Sequence, residues 1–225
     1  MTHYSQIDYL NGSNFRVYYP DGIEEAVITA IKAGRIWEKK LLNHYKTMIK
    51  RGDTVLDIGS YLGTHALAFS QLVGNSGVVH CFEPQTDIFK LLKKTITENK
   101  IKNIKLYQKA VYNNDGSVEF SNTNNGKASI SHIRPRLNNP VKIMTPAIKI
   151  DTLKLNKCDF VKIDVEKCEW VVLDGGEETI KEFRPIIFLE TFKTPSNRLK
   201  LTKWCEKMDY NFMNVGGADF ILKPN

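Results

Sequence analysis

The sequence holds only four cysteines, Cys81, Cys158, Cys168 and Cys205, and no two of them form a CxxC pair. That spacing argues against a zinc ribbon or a dithiol redox motif. Cys81, inside an apolar strand pattern, reads as a buried free thiol, and reduced cysteines suit a cytosol. Long apolar runs are missing too: stretches such as Ile186 to Leu189 end far short of membrane-spanning length. The amino terminus has no basic region followed by an apolar core, so no secretory signal is expected. No internal repeat is visible. A soluble, cytoplasmic protein without a membrane span is the expectation.

What is present suits a globular chain: 225 residues, 42% hydrophobic and 25% charged, enough for one domain, or one domain with an added arm, around a sizeable core. The net charge of +7 is carried mostly by lysines scattered over the chain, as in Lys39-Lys40, Lys93-Lys94 and the stretch Lys100 to Lys109. A solvated basic surface is the favoured reading. Attraction to an anionic partner (nucleic acid, nucleotide-sugar or acidic glycan) is the alternative.

The pattern predicts an arm over residues 1–50, largely helical, and a domain over 51–225. In the arm, Phe15 to Tyr19 reads as a short strand, and Ile23 to Ala33 and Ile36 to Lys50 carry apolar residues at helical spacing. After Arg51-Gly52-Asp53 the chain alternates. Strands are expected at Thr54 to Ile58, Val78 to Phe82, Ile104 to Val111, Phe160 to Val165 and Pro185 to Glu190. Helices are expected at Gly63 to Val73, Thr86 to Asn99, Glu169 to Glu182 and Arg198 to Met208. Val118 to Phe120 reads as a small extra hairpin, and Tyr210 to Val215 with Phe220 to Leu222 as a closing one around Gly216-Gly217. This is the pattern of a doubly wound α/β fold with a mostly parallel sheet and an antiparallel hairpin at its carboxyl-terminal edge. The stretch Ser121 to Pro140, rich in Asn, Ser, Gly and Pro, reads as a substrate loop or a floppy insertion.

The segment Val55-Leu56-Asp57-Ile58-Gly59-Ser60-Tyr61-Leu62-Gly63 points to a ligand. A strand runs into a glycine turn and then a helix, which sets backbone amides and the Asp57 carboxylate where a ligand meets the strand ends. Dinucleotides need G-x-G-x-x-G, so that the pyrophosphate can pack on the glycines. Here the glycines read G-x-x-x-G, with Tyr61 where the close-approach glycine would lie. S-adenosylmethionine has no phosphate and tolerates that bulk. Glu83 stands just past the next strand, 20 residues after Gly63, where an ionised carboxylate accepts from both ribose hydroxyls. The competing reading is a surface glutamate.

These elements resemble the FkbM-type methyltransferases of the class I superfamily, from about Gly34 to the carboxyl terminus. The resemblance covers Lys50-Arg51-Gly52-Asp53, the Phe82-Glu83-Pro84 turn, Ala110-Val111 ahead of Asp115-Gly116, the segment Phe160-Val-Lys-Ile-Asp-Val-Glu166, and Arg184-Pro185 leading into Glu190. It implies a seven-stranded Rossmann-like methyltransferase sheet. It also implies S-adenosylmethionine as cofactor, with Asp57, Gly59, Ser60, Tyr61, Gly63, Glu83, Pro84 and Ala110 lining its site, and an acceptor among varied small molecules and sugars. The chain departs from the family at two places: Tyr61 stands where Asn is common, and Lys167 where Gly follows the Asp-x-Glu triplet.

Methyl transfer to an alcohol needs a base, or a metal that acidifies the hydroxyl. Asp164 and Glu190 are expected at neighbouring strand ends, with Glu166 and Glu169 following Asp164. One reading makes Asp164 the base, with Glu166 and Glu190 binding substrate hydroxyls. Another has Asp164 and Glu190 hold Mg²⁺. Glu169 reads equally well as favourable charge at a helix start. His132 in the long loop is a further candidate base. His65 reads as packing in the first turn of its helix, and Trp170 as core or cofactor wall. No NPPY-like segment follows the fourth strand, which argues against amino-group methylation. The leading expectation is an O-methyltransferase of a sugar, glycan or other small molecule. An RNA methyltransferase and a non-catalytic binding module that keeps the fold compete with it.

Overall fold

A computed structural model describes residues 3–23, 25–122, 141–165 and 167–225. These form two compact units, one running to Gln108 and the other beginning at Lys109.

The first unit opens with strands β1 (His3–Asp8) and β2 (Asn14–Tyr19), an antiparallel pair, followed by helices α1 (Ala26–Lys32) and α2 (Lys39–Met48). The arm is therefore part sheet: β2 falls on the expected strand, and β1 is an addition. The polar alternation of His3 to Asp8 hides β1, because only Ile7 of that strand is buried. The backbone amides of Arg16 and Tyr18, on the side of β2 away from β1, donate to Asn99 Oδ1 at 2.9 Å and Thr95 Oγ1 at 3.1 Å. A helix thus satisfies what an edge strand would otherwise expose.

Next come β3 (Thr54–Ile58), α3 (Thr64–Val73), β4 (Val78–Phe82), α4 (Thr86–Glu98) and β5 (Ile104–Tyr107), with β3, β4 and β5 paired in parallel. Every residue of β3 is buried, as a strand covered on both faces requires. Helix α4 buries Ile88, Leu91, Leu92, Thr95 and Ile96, an i, i+3, i+4, i+7, i+8 stripe. Asn103 joins the end of α3 to the start of β5: its amide donates to the carbonyls of Ser70 and Gly74, both at 2.9 Å, and its oxygen accepts from Ser70 Oγ at 2.6 Å.

The second unit holds β6 (Ala110–Val111), β7 (Gly116–Asn122), β8 (Val141–Ile148), β9 (Phe160–Ile163), α5 (Glu169–Asp174), α6 (Glu177–Phe183), β10 (Ile186–Glu190), α7 (Pro195–Met208), β11 (Tyr210–Gly216) and β12 (Asp219–Pro224). The strand expected over residues 104–111 is two strands. β5 belongs to the large sheet, and β6 to a three-stranded sheet ordered β6-β8-β7. The partner of β7 is β8, an antiparallel strand absent from the sequence reading. Ala110, Val118 and Ala147 form the small sheet's core.

The helix expected over 169–182 breaks at Gly175-Gly176. A Cβ on Gly175 would lie 2.1 Å from the Tyr112 carbonyl oxygen, and one on Gly176 would lie 2.7 Å from Ile150 Cδ1. Only glycine allows the chain to pass so close. Helix α7 starts earlier than the periodicity suggests, because Thr194 Oγ1 caps it by accepting from the Asn197 amide at 3.1 Å and Pro195 fills its first turn.

The large sheet has seven strands in the order β11-β12-β10-β9-β3-β4-β5. β9 and β10 are parallel, whereas β12 and β11 form the antiparallel closing hairpin. The architecture is a doubly wound, mostly parallel α/β sheet with an antiparallel hairpin at its carboxyl-terminal edge. All four cysteines are free and buried; burial pushes the Cys168 thiol up to about 11 and the Cys205 thiol to about 12, so neither ionises at neutral pH. Among the described residues no helix is long and apolar enough to cross a membrane.

Candidate functional site

In the first unit, the turn after β3 alternates left-handed residues: Gly59 at φ 85°, Tyr61 at 48° and Gly63 at 84°. Most of its amides are spent on the protein. Gly59 N and Ser60 N both donate to the Phe82 carbonyl, at 3.1 and 3.0 Å, and Gly63 N donates to the Ser60 carbonyl at 2.9 Å. Ser60 Oγ donates to the Asp57 carbonyl at 2.8 Å. The turn is therefore built rigidly onto β3 and β4 instead of offering a row of open amides. Gly63 answers a packing demand as well as a backbone one, since a Cβ there would stand 2.6 Å from Leu92 Cδ1. The Asp57 side chain is fully buried, with the Cys81 thiol directed at its Oδ2.

Glu83, at the end of β4, is 3% exposed. Its Oε2 accepts from the Tyr61 amide at 3.0 Å, and its Oε1 from the Gln85 amide at 2.8 Å. Two backbone donors to one carboxylate fix its position and orientation. The reading of Glu83 as a surface residue is thus overturned by its burial. Pro84, half-buried, separates it from α4. The Tyr61 ring is half-buried, and its hydroxyl donates to Glu25 Oε2 at 3.0 Å. Burial, then the charges of Glu25 and Glu83, push that phenol well above its ordinary range. His65 packs in the first turn of α3, edge-on to Tyr45, with its Nε2 at 3.4 Å from Glu38 Oε2. Beside the site, Tyr107 stacks on Phe82 with centroids 4.7 Å apart, and its hydroxyl meets His80 Nδ1 at 3.0 Å. Burial, then Lys105, lowers His80 to about 4, which keeps it neutral at pH 7.

In the second unit, Asp164 lies one residue past β9 and Glu190 ends β10. The parallel register pairs Leu189 with Ile163, so Asp164 and Glu190 are neighbours. Two residues that the sequence reading missed join them. Asp219 is the cross-strand partner of Glu190. Lys162, 2% exposed, points its ammonium at Asp164 Oδ2, 2.8 Å away. A lysine in the middle of an otherwise apolar strand, Phe160-Val161-Lys162-Ile163, was the available signal. Burial, then the Asp164 charge and a hydrogen bond to Asp164, raise Glu190 to about 8, with Lys162 opposing. The two carboxyls thus hold a proton at neutral pH. Asp219 is raised by burial and by Asp164.

Other expected residues fall outside this group. Ala110 packs in the small sheet's core. The buried carboxylate of Glu169 accepts from the Lys167 amide at 3.0 Å at the start of α5, the helix-start role. Trp170 is half-buried. Glu166 and His132 lie outside the described residues. Among the described residues, no group of three or more His, Cys, Asp or Glu side chains is arranged to hold a metal ion. The Lys162 ammonium already sits against Asp164, one of the two carboxylates expected to bind Mg²⁺.

Both departures from the family pattern fall at left-handed positions. Tyr61 has φ 48° and Lys167 has φ 65°. Asn and Gly are the residues that enter this region most readily, and others do so at a cost of roughly 1–2 kcal/mol. Asn or Gly at either position would meet the same backbone need at lower cost.

A search of curated proteins by sequence returns no match. Among solved structures, the chain is similar to methyltransferase FkbM of Methylobacillus flagellatus, at 14% identity and a TM-score of 0.58; the likeness covers 81% of this chain and half (50%) of that one. An rRNA methylase of Streptococcus thermophilus shares the fold at 10% identity and a TM-score of 0.52, over 83% of this chain and 95% of the other. A fibrillarin of Aeropyrum pernix, solved with natively bound S-adenosyl-L-methionine, does so at 10% identity and a TM-score of 0.52, over 99% of both chains. Residues 57–213, from the buried carboxylate of β3 to the closing hairpin, match the Methyltransferase FkbM domain. The chain belongs to the FkbM methyltransferase family.

Proposed function

We propose that this protein transfers the methyl group of S-adenosylmethionine to a hydroxyl of a sugar, glycan or other small molecule. The observation that carries the cofactor half of the reading is Glu83. Its carboxylate is buried at a strand end and fixed by two backbone amides, where a carboxylate acceptor suits the ribose hydroxyls of the cofactor. Asp57, Gly59, Ser60, Tyr61, Gly63 and Pro84 complete that wall. The fibrillarin of the same fold, bound to this cofactor, supports the choice.

The sulfonium supplies an already activated methyl group, so the protein's part is to position the nucleophile and take up its proton. Asp164 and Glu190 suit that part. With one proton between them, the ionised carboxylate can accept from a hydroxyl while the protonated one donates to a neighbouring oxygen. Asp164, held by Lys162, is the base, and Glu190 binds the acceptor.

Calorimetry with S-adenosylhomocysteine should show binding and a raised Tm, NAD should show neither, and methyl-labelled cofactor should label alcohols or glycans in a mixed panel. Binding of NAD without a response to either methyl-cofactor species would overturn the reading. RNA as acceptor is the second reading. It is suggested by the net charge of +7, carried mostly by lysines. RNA binding that weakens steeply with salt would select it.

A further inference from the structure

We infer that the ammonium of Lys162 is the resident counter-cation of the acidic strand ends, and that it acts as a positioning residue by fixing the Asp164 carboxylate. This rests on the methyltransferase reading for its role in turnover, but not for its cation chemistry.

The argument starts from cost. An ammonium taken out of water loses several kcal/mol of solvation unless it is paired, and Lys162 is 2% exposed in the middle of β9. A lysine in a central strand therefore needs anions around it. Alternation along the strand brings its side chain to the face of Asp164, two residues on, at 2.8 Å. The same ammonium acts on Glu190 and on Asp219 from β10 and β12, and Lys193 is the further cation acting on Asp219.

The converse holds as well. Three carboxylates gathered on adjacent strands repel one another, and they settle either by holding a proton, by binding a metal or by enclosing a fixed positive charge. This chain encloses one. Mg²⁺ demands near-octahedral oxygen ligation, and a carboxylate oxygen already engaged at 2.8 Å by an ammonium is poorly disposed to join it. Asp164 is thus committed to a side chain of the same protein, and among the described residues no three His, Cys, Asp or Glu side chains are arranged to hold a metal ion. Lys162 touches neither cofactor nor acceptor in this scheme; it sets the charge and direction of the carboxylate that does.

The test replaces the ammonium by an apolar chain of similar length, Lys162→Met, in the full-length protein. Mn²⁺ is titrated into wild type and variant and followed by electron paramagnetic resonance, with S-adenosylhomocysteine binding measured on the same samples. Wild type should show no tight Mn²⁺ site and no loss of methyl transfer in EDTA. The variant should lose turnover by about 10²-fold or more, as loss of a positioned base implies, and keep its cofactor affinity. Methylammonium should restore turnover to Lys162→Ala in proportion to its concentration, which a merely structural role would not produce. A folded Lys162→Met protein with wild-type turnover overturns the inference. So does a wild-type Mn²⁺ site that Asp164→Asn abolishes. If Lys162→Met does not fold, Lys162→Gln answers the same question by the same two readouts. Failure of the methyltransferase reading shows separately, as absence of cofactor binding to wild type.

Discussion

The glycine turn of the first unit and the acidic strand ends of the second solve the same problem, a buried carboxylate, in opposite ways. Glu83 is held by backbone amides at 3.0 and 2.8 Å, donors that cannot change charge. Asp164 and Glu190 are held by groups that can: each other, Asp219 and Lys162. A carboxylate fixed by amides keeps one position whatever the charge of its neighbours, and suits a ligand that needs a constant acceptor. A carboxyl raised to about 8 by burial and by its neighbours suits the handling of protons. The two regions differ as a clamp differs from a reservoir.

The largest effect that would break this comparison comes from the proton-handling side. Asp164→Asn should lower turnover by about 10²- to 10⁴-fold, the contribution of a positioned base, with cofactor affinity spared. Steady-state kinetics paired with S-adenosylhomocysteine calorimetry reads both. A variant that loses cofactor binding instead would move Asp164 to the methionine end of the ligand. Next in size, Glu83→Ala removes hydrogen bonds from a charged acceptor worth about 1.5–3 kcal/mol, so the cofactor dissociation constant should rise roughly ten- to hundredfold. An unchanged constant in a folded variant would place Glu83 outside the site.

The smallest effect sharpens the contrast through pH. Glu190 is raised from 4.5 to about 8 in the folded protein, so between those values the native state holds a proton that the unfolded chain has released. Stability then falls as pH rises through that window. Glu190→Gln keeps the neutral form's shape and removes that loss. Its Tm relative to wild type should therefore climb between pH 5 and about 8 by an amount on the order of a few degrees. A constant difference across that range would mean that Glu190 titrates as an ordinary glutamate.

The first region was more legible in the sequence than the second. Glycines, a strand-ending acid and apolar runs announce β3, β4 and the turn, because local backbone demands leave local marks. Glu83 could be named from spacing alone. Its mode of restraint could not, since the amides of Tyr61 and Gln85 meet it only after the chain turns. The acidic strand ends depend on registry between distant strands. Asp164 and Glu190 were nameable as strand termini, whereas Asp219 becomes their neighbour only through the antiparallel return of β12. Lys162 stands out only as a lysine inside an otherwise apolar strand, with nothing local to say which anions it meets. β1 and β8 were missed because their alternation is mostly polar, or because their partner lies far along the chain.

The adjacent glycines between α5 and α6 have unequal freedom to vary over evolutionary time. At Gly176 the obstacle to a side chain is Ile150 Cδ1, 2.7 Å from where a Cβ would stand. A smaller residue at position 150 could therefore compensate, and the two positions can drift as a correlated pair. At Gly175 the obstacle is the Tyr112 carbonyl, at 2.1 Å. Every residue type carries that oxygen, so no second substitution can make room. Descendants of this chain that keep the approach of the end of α5 to the segment after β6 must keep glycine at 175, while 176 remains open to negotiation.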